Sequence, residues 1–388
     1  MEPRKPRDEP PVPGGPYGSR LGHGRADRHA LAEPSSLISA WRRGASEMRR
    51  RTRIPSSATC EASPNIALVK YWGMRDETQG LPYNSSLSVT LGGIATRTTV
   101  VWDPDRPRDR LVLNGVEQAG SPLESAVRFL DAVRKRSGSG AHAGVRTRNN
   151  FPTASGLASS ASGFAALAGA ASRAAGLVLS PRALSQLARL GSGSASRSVF
   201  GGFVEWQAGR FADGSDCFAR PLFGPRHWTA LKDLVCLVRG APEKQVRSAR
   251  AMQTTVVTSP DYAERLETVP HRLSGIRNAL RRREAARLFE LIMEECDDFR
   301  HVCETTRPPL DYLTPTSRAI LGEVRSLNRE AGEAVAAYTH DAGAHVHVFT
   351  LERNLPAVRR RITRIPGVER VLALAPGAGL RSVSTPVR

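Results

Sequence analysis

From Ser57 onward the chain carries short runs of apolar residues whose period shifts between strand-like and helix-like. SLSVTLGG (86–93) and TRTTVVWD (96–103) alternate at every second residue, which predicts strands with one face on a core. TCEASPNIALVKYW carries an apolar run broken by Pro64 and Asn65. Asn114-Gly115 stands between LVL and VEQA, the composition of a two-residue hairpin loop. Val127, Leu130, Ala132 and Val133 recur at helical spacing and predict a helix over about 123–135. HAGVRTRNN reads as another strand. FPTASGLASSASGFAALAGAASRAAGL follows as a Gly- and Ser-rich turn feeding a long Ala-rich helix. Ser180 before Pro181 is a helix N-cap signature, with the helix reaching about Leu190. GSGSASRSVFGGFVEW is a second Gly/Ser loop, running into a helix or turn and then a strand.

A tract near 224–232 suits a join between domains. Beyond it DLVCLVRG predicts a strand, helices cover roughly 259–307 and 317–330, and VAAYTH and HVHVF are strands again. The helix NLPAVRRRI and the strand VERVLAL close this part. No internal repeat has a fixed period. The expected class is α+β, with helices on mixed or antiparallel sheets in two lobes, 54–228 and 229–380, and an active-site cleft between them. Residues 1–53 differ in kind. MEPRKPRDEPPVPGGPYGSR has too little apolar surface to order itself and predicts a disordered basic extension. Met48, before Arg49–Arg51, offers an alternative start of translation.

Composition changes this picture little. The chain has 388 residues, 56 basic against 37 acidic, for a net charge of +19. That excess raises nucleic acid as a partner, but no basic stripe interleaves with aromatics and no reading module is recognisable. Lys occurs only at Lys5, Lys70, Lys135, Lys232 and Lys244, so the charge is Arg-borne. A positive field that draws in phosphorylated substrates is the better use of it. No stretch approaches the ~20 apolar residues of a membrane span, and the N-terminus lacks a signal-peptide pattern. The expectation is a cytoplasmic protein. Cys60, Cys217, Cys236, Cys296 and Cys303 are scattered without a CxxC pair; Cys296 and Cys303 read as core packing in a reducing compartment.

Chemistry concentrates in the two Gly/Ser loops. In Pro152-Thr153-Ala154-Ser155-Gly156-Leu157-Ala158-Ser159-Ser160 small residues let amides converge where a helix begins, an arrangement that binds anions. The competing reading is an ordinary loop before a packing helix. The loop has neither the GxxxxGK[ST] of a P-loop nor the GxGxxG of a dinucleotide fold. It does match the P-x-x-x-G-L-[AG]-S-S motif of GHMP kinases. NIALVKYWGMRDETQGLPYNSSLSVTL, NNFPTASGLASSASGFAAL, GSGSASRSVFGGFVEW and YTHDAGAHVHV together resemble, in order and spacing, the signature segments of mevalonate-diphosphate decarboxylases within the GHMP superfamily. The resemblance runs from about Thr59 to Leu374.

It implies a two-lobed GHMP-kinase-like fold, a homodimer, and a phosphorylated 3-hydroxy acid that is phosphorylated by ATP with Mg2+ and then loses phosphate and CO2. By resemblance Asp341 activates or orients the hydroxyl, Arg197 holds the substrate carboxylate, and Lys70 neutralises phosphate charge or biases Asp341. Ser155, Gly156, Leu157, Ala158, Ser159 and Ser160 bind ATP phosphates, with Ser160 the candidate for the metal. Tyr71, Ser192, Ser194 and Ser248 line the substrate. Trp72 reads as core. Against the Asp341 assignment, Asp before Ala-Gly is also an ordinary turn residue. His345 and His347 share a strand face, but no acidic third ligand has suitable spacing for a metal.

The departures from the family cluster on the substrate side. Met74 stands where the family has Lys in KYWGK, a residue that contacts the diphosphate there. DAGAH replaces DAGPN, and Arg247 replaces a Ser before Ser248. Arg75 is the neighbouring cation, but adjacent strand residues face opposite ways, and Arg247 is the other. The leading function is therefore decarboxylation of mevalonate 5-diphosphate to isopentenyl diphosphate. The alternatives are the same chemistry on mevalonate 5-phosphate or another 3-hydroxy acid, a kinase that stops at phosphorylation, and a basic binding protein on an enzyme scaffold.

Overall fold

The alternation of TRTTVVWD becomes a strand in which Thr96, Thr98, Val100 and Trp102 are buried while Arg97 and Val101 are exposed. The computed structural model describes residues 57–151, 159–241 and 248–384, all within one compact unit, Ile54–Arg388. The expected extension (1–53, with Met48), the loop residues Ser155, Gly156, Leu157 and Ala158, and Arg247 lie outside the described residues.

In chain order the first strands are β1 (Ser57–Ala62), β2 (Asn65–Val69), β3 (Met74–Asp76), β4 (Leu81–Pro82), β5 (Ser86–Thr90) and β6 (Thr96–Asp103). The hairpin β7 (Arg110–Leu113) and β8 (Val116–Glu117) precedes helix α1 (Gly120–Ser137) and β9 (His142–Asn149). Helices α2 (Ser159–Ala174), α3 (Pro181–Arg189) and the single turn α4 (Ala195–Ser198) lead to β10 (Phe203–Trp206) and β11 (Ala219–Phe223). After β12 (Leu231–Val238) come α5 (Ser248–Thr258), α6 (Tyr262–Arg282), α7 (Ala285–Glu304) and α8 (Pro315–Ala331). The chain closes with β13 (Ala336–Thr339), β14 (Val346–Leu351), α9 (Leu355–Thr363), β15 (Val368–Leu374) and β16 (Arg381–Val383).

Local chemistry explains several boundaries. Asn114 and Gly115 have φ of 51° and 89°, the left-handed pair that a two-residue hairpin needs. Ser180 accepts a bond from the Ala183 N–H, and Pro181 opens α3, so the expected cap is in place. The short hairpin β3–β4 and helix α5 were not legible as elements, because each is too brief or too weakly periodic to stand out.

The strands form three main sheets, in the orders β16–β1–β6–β9–β7–β8, β11–β10–β5–β2 and β13–β14–β12–β15. Among the described residues all strand pairs are antiparallel except β7 with β9. Strand β16 returns to the first sheet, with Ser382 opposite Cys60, a pairing that nothing local announces. Helix α2 packs across β1 and β6. Its small side chains permit a close approach: a Cβ on Gly169 would lie 3.0 Å from Cys60 Sγ. One apolar cluster joins Ile66, Leu87 and Phe203 to Leu231 and Val235 of β12 and to Leu273 and Phe289 of α6 and α7. Burying each such side chain contributes roughly 1.5–3 kcal/mol. All five cysteines are buried and unpaired in disulfides, as expected of packing residues. No helix among the described residues is long and apolar enough to cross a membrane.

Candidate active site

Lys70 and Asp341 come from strand ends far apart in sequence. Every residue of β2 is buried, and Lys70, immediately after it, is itself only 3% exposed. A buried ammonium needs partners. It donates to the Ala67 carbonyl at 2.8 Å and to Asp341 Oδ1 at 2.7 Å. That leaves one of its three N–H groups for another acceptor. Asp341 follows β13 in a tight turn, where the Gly343 N–H donates back to the Asp341 carbonyl at 2.7 Å. Burial pushes the Asp341 carboxyl up, but the Lys70 charge and hydrogen bond, helped by His347 and Arg197, hold it below the usual carboxylate range. It is therefore an ionised, weakly basic carboxylate at neutral pH.

Arg197 reaches the same place from α4 and is 2% exposed. Asn65 Oδ1 accepts from its Nε and Nη2 (3.2 and 3.1 Å), Ser88 Oγ from Nε (2.9 Å) and Ser86 Oγ from Nη1 (2.6 Å). Among the described residues these bonds use three of its five N–H groups and leave two for a further acceptor such as a carboxylate. Burial draws its pKa down, and Tyr71 and Asp341 push it back.

A cavity of about 290 Å³ gathers Lys70, Tyr71, Ser160, Ser192, Ser194, Arg197, Ser248 and Asp341 at one surface. The Tyr71 ring stands edge-on to Trp206 at 4.9 Å, with the Arg197 guanidinium 5.6 Å from its centroid; burial raises the phenol pKa. Ser192 Oγ and Ser194 Oγ are 3.0 Å apart. The intervening Gly193 has no room for a side chain, since a Cβ there would lie 2.7 Å from Trp206 and 3.0 Å from the Tyr71 hydroxyl. The glycines of GSGS thus let the loop lie close against the aromatic wall.

Ser159 begins α2, and the exposed Ser160 lines the cavity. A helix start with an adjacent hydroxyl fits phosphate oxygens and a phosphate-bound cation. Ser248 begins α5 on another wall.

Two sequence expectations resolve differently. Trp72 is buried in an apolar cluster with Met252 and Phe299 and also lines the cavity. Met74 faces the cavity, whereas Arg75 turns away to the carbonyls of Ala208 and Phe211 at 3.3 Å each, so Arg75 does not stand in for the missing Lys. His347 Nδ1 lies 2.7 Å from Asp233 Oδ2, and His345 Nδ1 accepts from the Val238 N–H. Among the described residues no group of His, Cys, Asp and Glu is arranged to hold a metal ion.

Sequence reasoning missed Glu77, Arg189 and Phe299 in the lining, and Asn65, Ser86 and Ser88 as the holders of Arg197. The signal for Ser86 and Ser88 was present, since residues two apart on a strand share a face.

Comparison with known proteins decides the family. Residues 62–219 match the model of the diphosphomevalonate decarboxylase-like N-terminal domain, and residues 234–373 match that of the mevalonate 5-diphosphate decarboxylase C-terminal domain. The chain belongs to the diphosphomevalonate decarboxylase family. The diphosphomevalonate decarboxylase of Rattus norvegicus is 42% identical over 312 residues, 76% of each chain. That of Ganoderma lucidum is 40% identical over 328 residues, 79% of this chain and 81% of that protein. Among solved structures, MDDEF in complex with MVAPP, AMPPCP and magnesium is 37% identical with a TM-score of 0.79, covering 85% of this chain and 99% of that one. The mevalonate diphosphate decarboxylase of Staphylococcus aureus is 33% identical with a TM-score of 0.80, covering 85% and 98%. The fold is therefore GHMP-kinase-like, with helices on mixed and antiparallel sheets.

Proposed function

We propose that the protein converts mevalonate 5-diphosphate and ATP into isopentenyl diphosphate, ADP, phosphate and CO2. The observation that carries this reading is the Lys70–Asp341 pair facing Arg197 across one cavity, in a chain of this family. A 3-hydroxy acid holds its CO2 because hydroxide is a poor leaving group. ATP with Mg2+ supplies a phosphoryl group that makes the tertiary oxygen a good one. Asp341 orients the hydroxyl and accepts its proton as the new P–O bond forms, which suits a carboxylate too weakly basic to ionise an alcohol unaided. Lys70 keeps Asp341 ionised and offers its remaining N–H to phosphate oxygens. Arg197 holds the substrate carboxylate so that the breaking C–C bond is aligned with the departing phosphate.

Ser192, Ser194, Tyr71 and Ser248 donate to the rest of the substrate. Ser155, Gly156, Leu157, Ala158, Ser159 and Ser160 form the ATP-phosphate loop, with Ser160 toward the metal. Residues 54–228 and 229–380 act as the two lobes. The protein works in the cytoplasm, in keeping with its buried thiols, and as a homodimer, as the family resemblance suggests.

Purified protein with Mg·ATP and mevalonate 5-diphosphate, and in parallel mevalonate 5-phosphate, tests the reading. Equal yields of ADP and isopentenyl diphosphate support it. Turnover of the monophosphate alone would favour the second reading, which rests on Met74 in the cavity wall where a cation would serve a diphosphate better. Retained ATP binding with turnover of neither compound would refute both.

A further inference from the structure

Lys70 leaves β2 where strand pairing becomes irregular: the register with β5 shifts between Ala67 and Val69. Its peptide is held by side chains instead. The Lys70 N–H donates to Glu295 Oε1 of α7 at 3.0 Å. Its carbonyl accepts from Asn84 Nδ2 at 2.9 Å and from Arg265 Nη2 of α6 at 3.3 Å. The side chains of Glu295 and Arg265 are fully buried and 2.5 Å apart. Arg272 Nε holds the other Glu295 oxygen at 2.7 Å, and Asp298 pairs with both arginines. The cluster holds two charges of each sign.

Burying one ion pair outright and a second in part is a costly way to secure a strand end, and the residue secured is the one whose ammonium touches Asp341. Two residues further along α7, Asp297 accepts from the Tyr338 hydroxyl of β13 at 2.8 Å, three residues before Asp341. One helix therefore tethers the strand ends that carry both members of the pair.

We propose that Glu295 is a positioning residue: with Arg265 it fixes the Lys70 peptide, and α7 thereby sets the reach of the Lys70 ammonium to Asp341. The inference rests on the reading of Lys70 and Asp341 given above. Asp341 is faced by Lys70 after β2, Arg197 of α4, His347 of β14, and its neighbours Tyr71 and His340. Of these Lys70 is in hydrogen-bonding contact at 2.7 Å. Drawing Lys70 away leaves burial to act on Asp341, so its carboxyl titrates at higher pH.

The test measures kcat, KM for ATP and the pH profile of kcat with mevalonate 5-diphosphate. Glu295→Gln leaves the buried Arg265 and the half-buried Arg272 to share one carboxylate and endangers folding. Its companion is therefore Glu295→Gln with Arg272→Met, which removes one charge of each sign. Tyr338→Phe cuts the other tether and leaves Asp297 paired with Arg325. The double variant is expected to lose about 10- to 100-fold in kcat with little change in KM for ATP, and its acid limb moves up by about one pH unit. Tyr338→Phe shifts the limb the same way by less, and Glu295→Asp, which keeps the charge, recovers part of the rate. Folded variants with the wild-type acid limb would overturn the proposal, even with a lower kcat. Lys70→Met and Asp341→Asn run alongside: full turnover by either would instead refute the reading of the pair itself.

Discussion

Two arginines line the same cavity, Arg189 at 6% exposure and Arg197 at 2%, and they spend their donors in opposite ways. Arg189 gives its Nε–H to the Gln79 carbonyl at 3.0 Å and its Nη1 to the carbonyls of Gly214 (2.7 Å) and Cys217. It ties α3 to the β3–β4 hairpin and to the loop before β11, holding backbone that has no ladder partner. Arg197 is held by Asn65, Ser86 and Ser88, short side chains on strands of one sheet, and keeps two N–H groups in hand. Burial lowers the pKa of both. With the substrate role proposed for Arg197, what separates the two cations is the identity of their partners. Carbonyls that depend on the arginine make it a brace, and hydroxyls that steady it make it a tool.

Substitution should break this symmetry. On the role proposed for Arg197, Arg197→Met forfeits two charge-assisted bonds to the substrate carboxylate, each worth about 1.5–3 kcal/mol. We expect kcat/KM to fall by about a thousandfold, measured by coupled ADP release, while the urea midpoint moves little. Arg189→Met takes the side-chain donor from the Gln79 and Cys217 carbonyls, while Gly214 keeps the Cys217 N–H at 3.1 Å, and should lower unfolding free energy by about 2 kcal/mol, with a smaller loss in rate per folded molecule. Equal rate losses in the two variants would sink the distinction.

A pH experiment sharpens it further, because another basic side chain beside Asp341 is one that burial silences. His340 is 1% exposed, and burial draws its pKa to about 4. Its Nδ1 donates to the Asp341 carbonyl at 2.8 Å, so the ring is neutral in the folded protein at pH 7. The unfolded chain protonates this residue near the ordinary ~6.5 and then binds more protons than the folded one. Stability contributed by His340 is thus present at neutral pH and falls as pH drops from about 6.5 toward 4, by up to about 3 kcal/mol. Urea melts at stepped pH would show it, and Phe in place of His340 should flatten that slope. Smaller still is the effect of Ser86→Ala or Ser88→Ala, each of which unpins one Arg197 donor. Each should lower kcat/KM by roughly tenfold, about 1.4 kcal/mol, with wild-type stability.

The same contrast explains what could be read from the chain in advance. Strand β6, the Asn114-Gly115 turn and the Ser180 cap are set by residues within a few positions, so period and turn chemistry sufficed. Lys70, Arg197 and Asp341 were legible through the motifs in which they sit, and the structure brings them to one cavity. Their supports were not. Asn65 looked like a break in an apolar run, and Ser86 and Ser88 like the polar half of an alternating strand. Glu295 and Arg265 fall in the stretch 259–307, read only as helical, and no local pattern sets them apart. Arg189 looked like one of many surface arginines in an Arg-rich chain. Each acquires its role from a partner brought in by the fold, as β16 does from β1, and no local pattern encodes such pairing. Met74 is the converse case, a departure visible in the sequence whose exposure to the cavity the structure adds.

The most direct test of the account is single-turnover analysis of Asp341→Asn with Mg·ATP and mevalonate 5-diphosphate, following ADP, CO2 and alkene together. The account predicts a folded variant that still binds ATP and yields none of the three at an appreciable rate. Stoichiometric ADP, CO2 and isopentenyl diphosphate from that variant would contradict it.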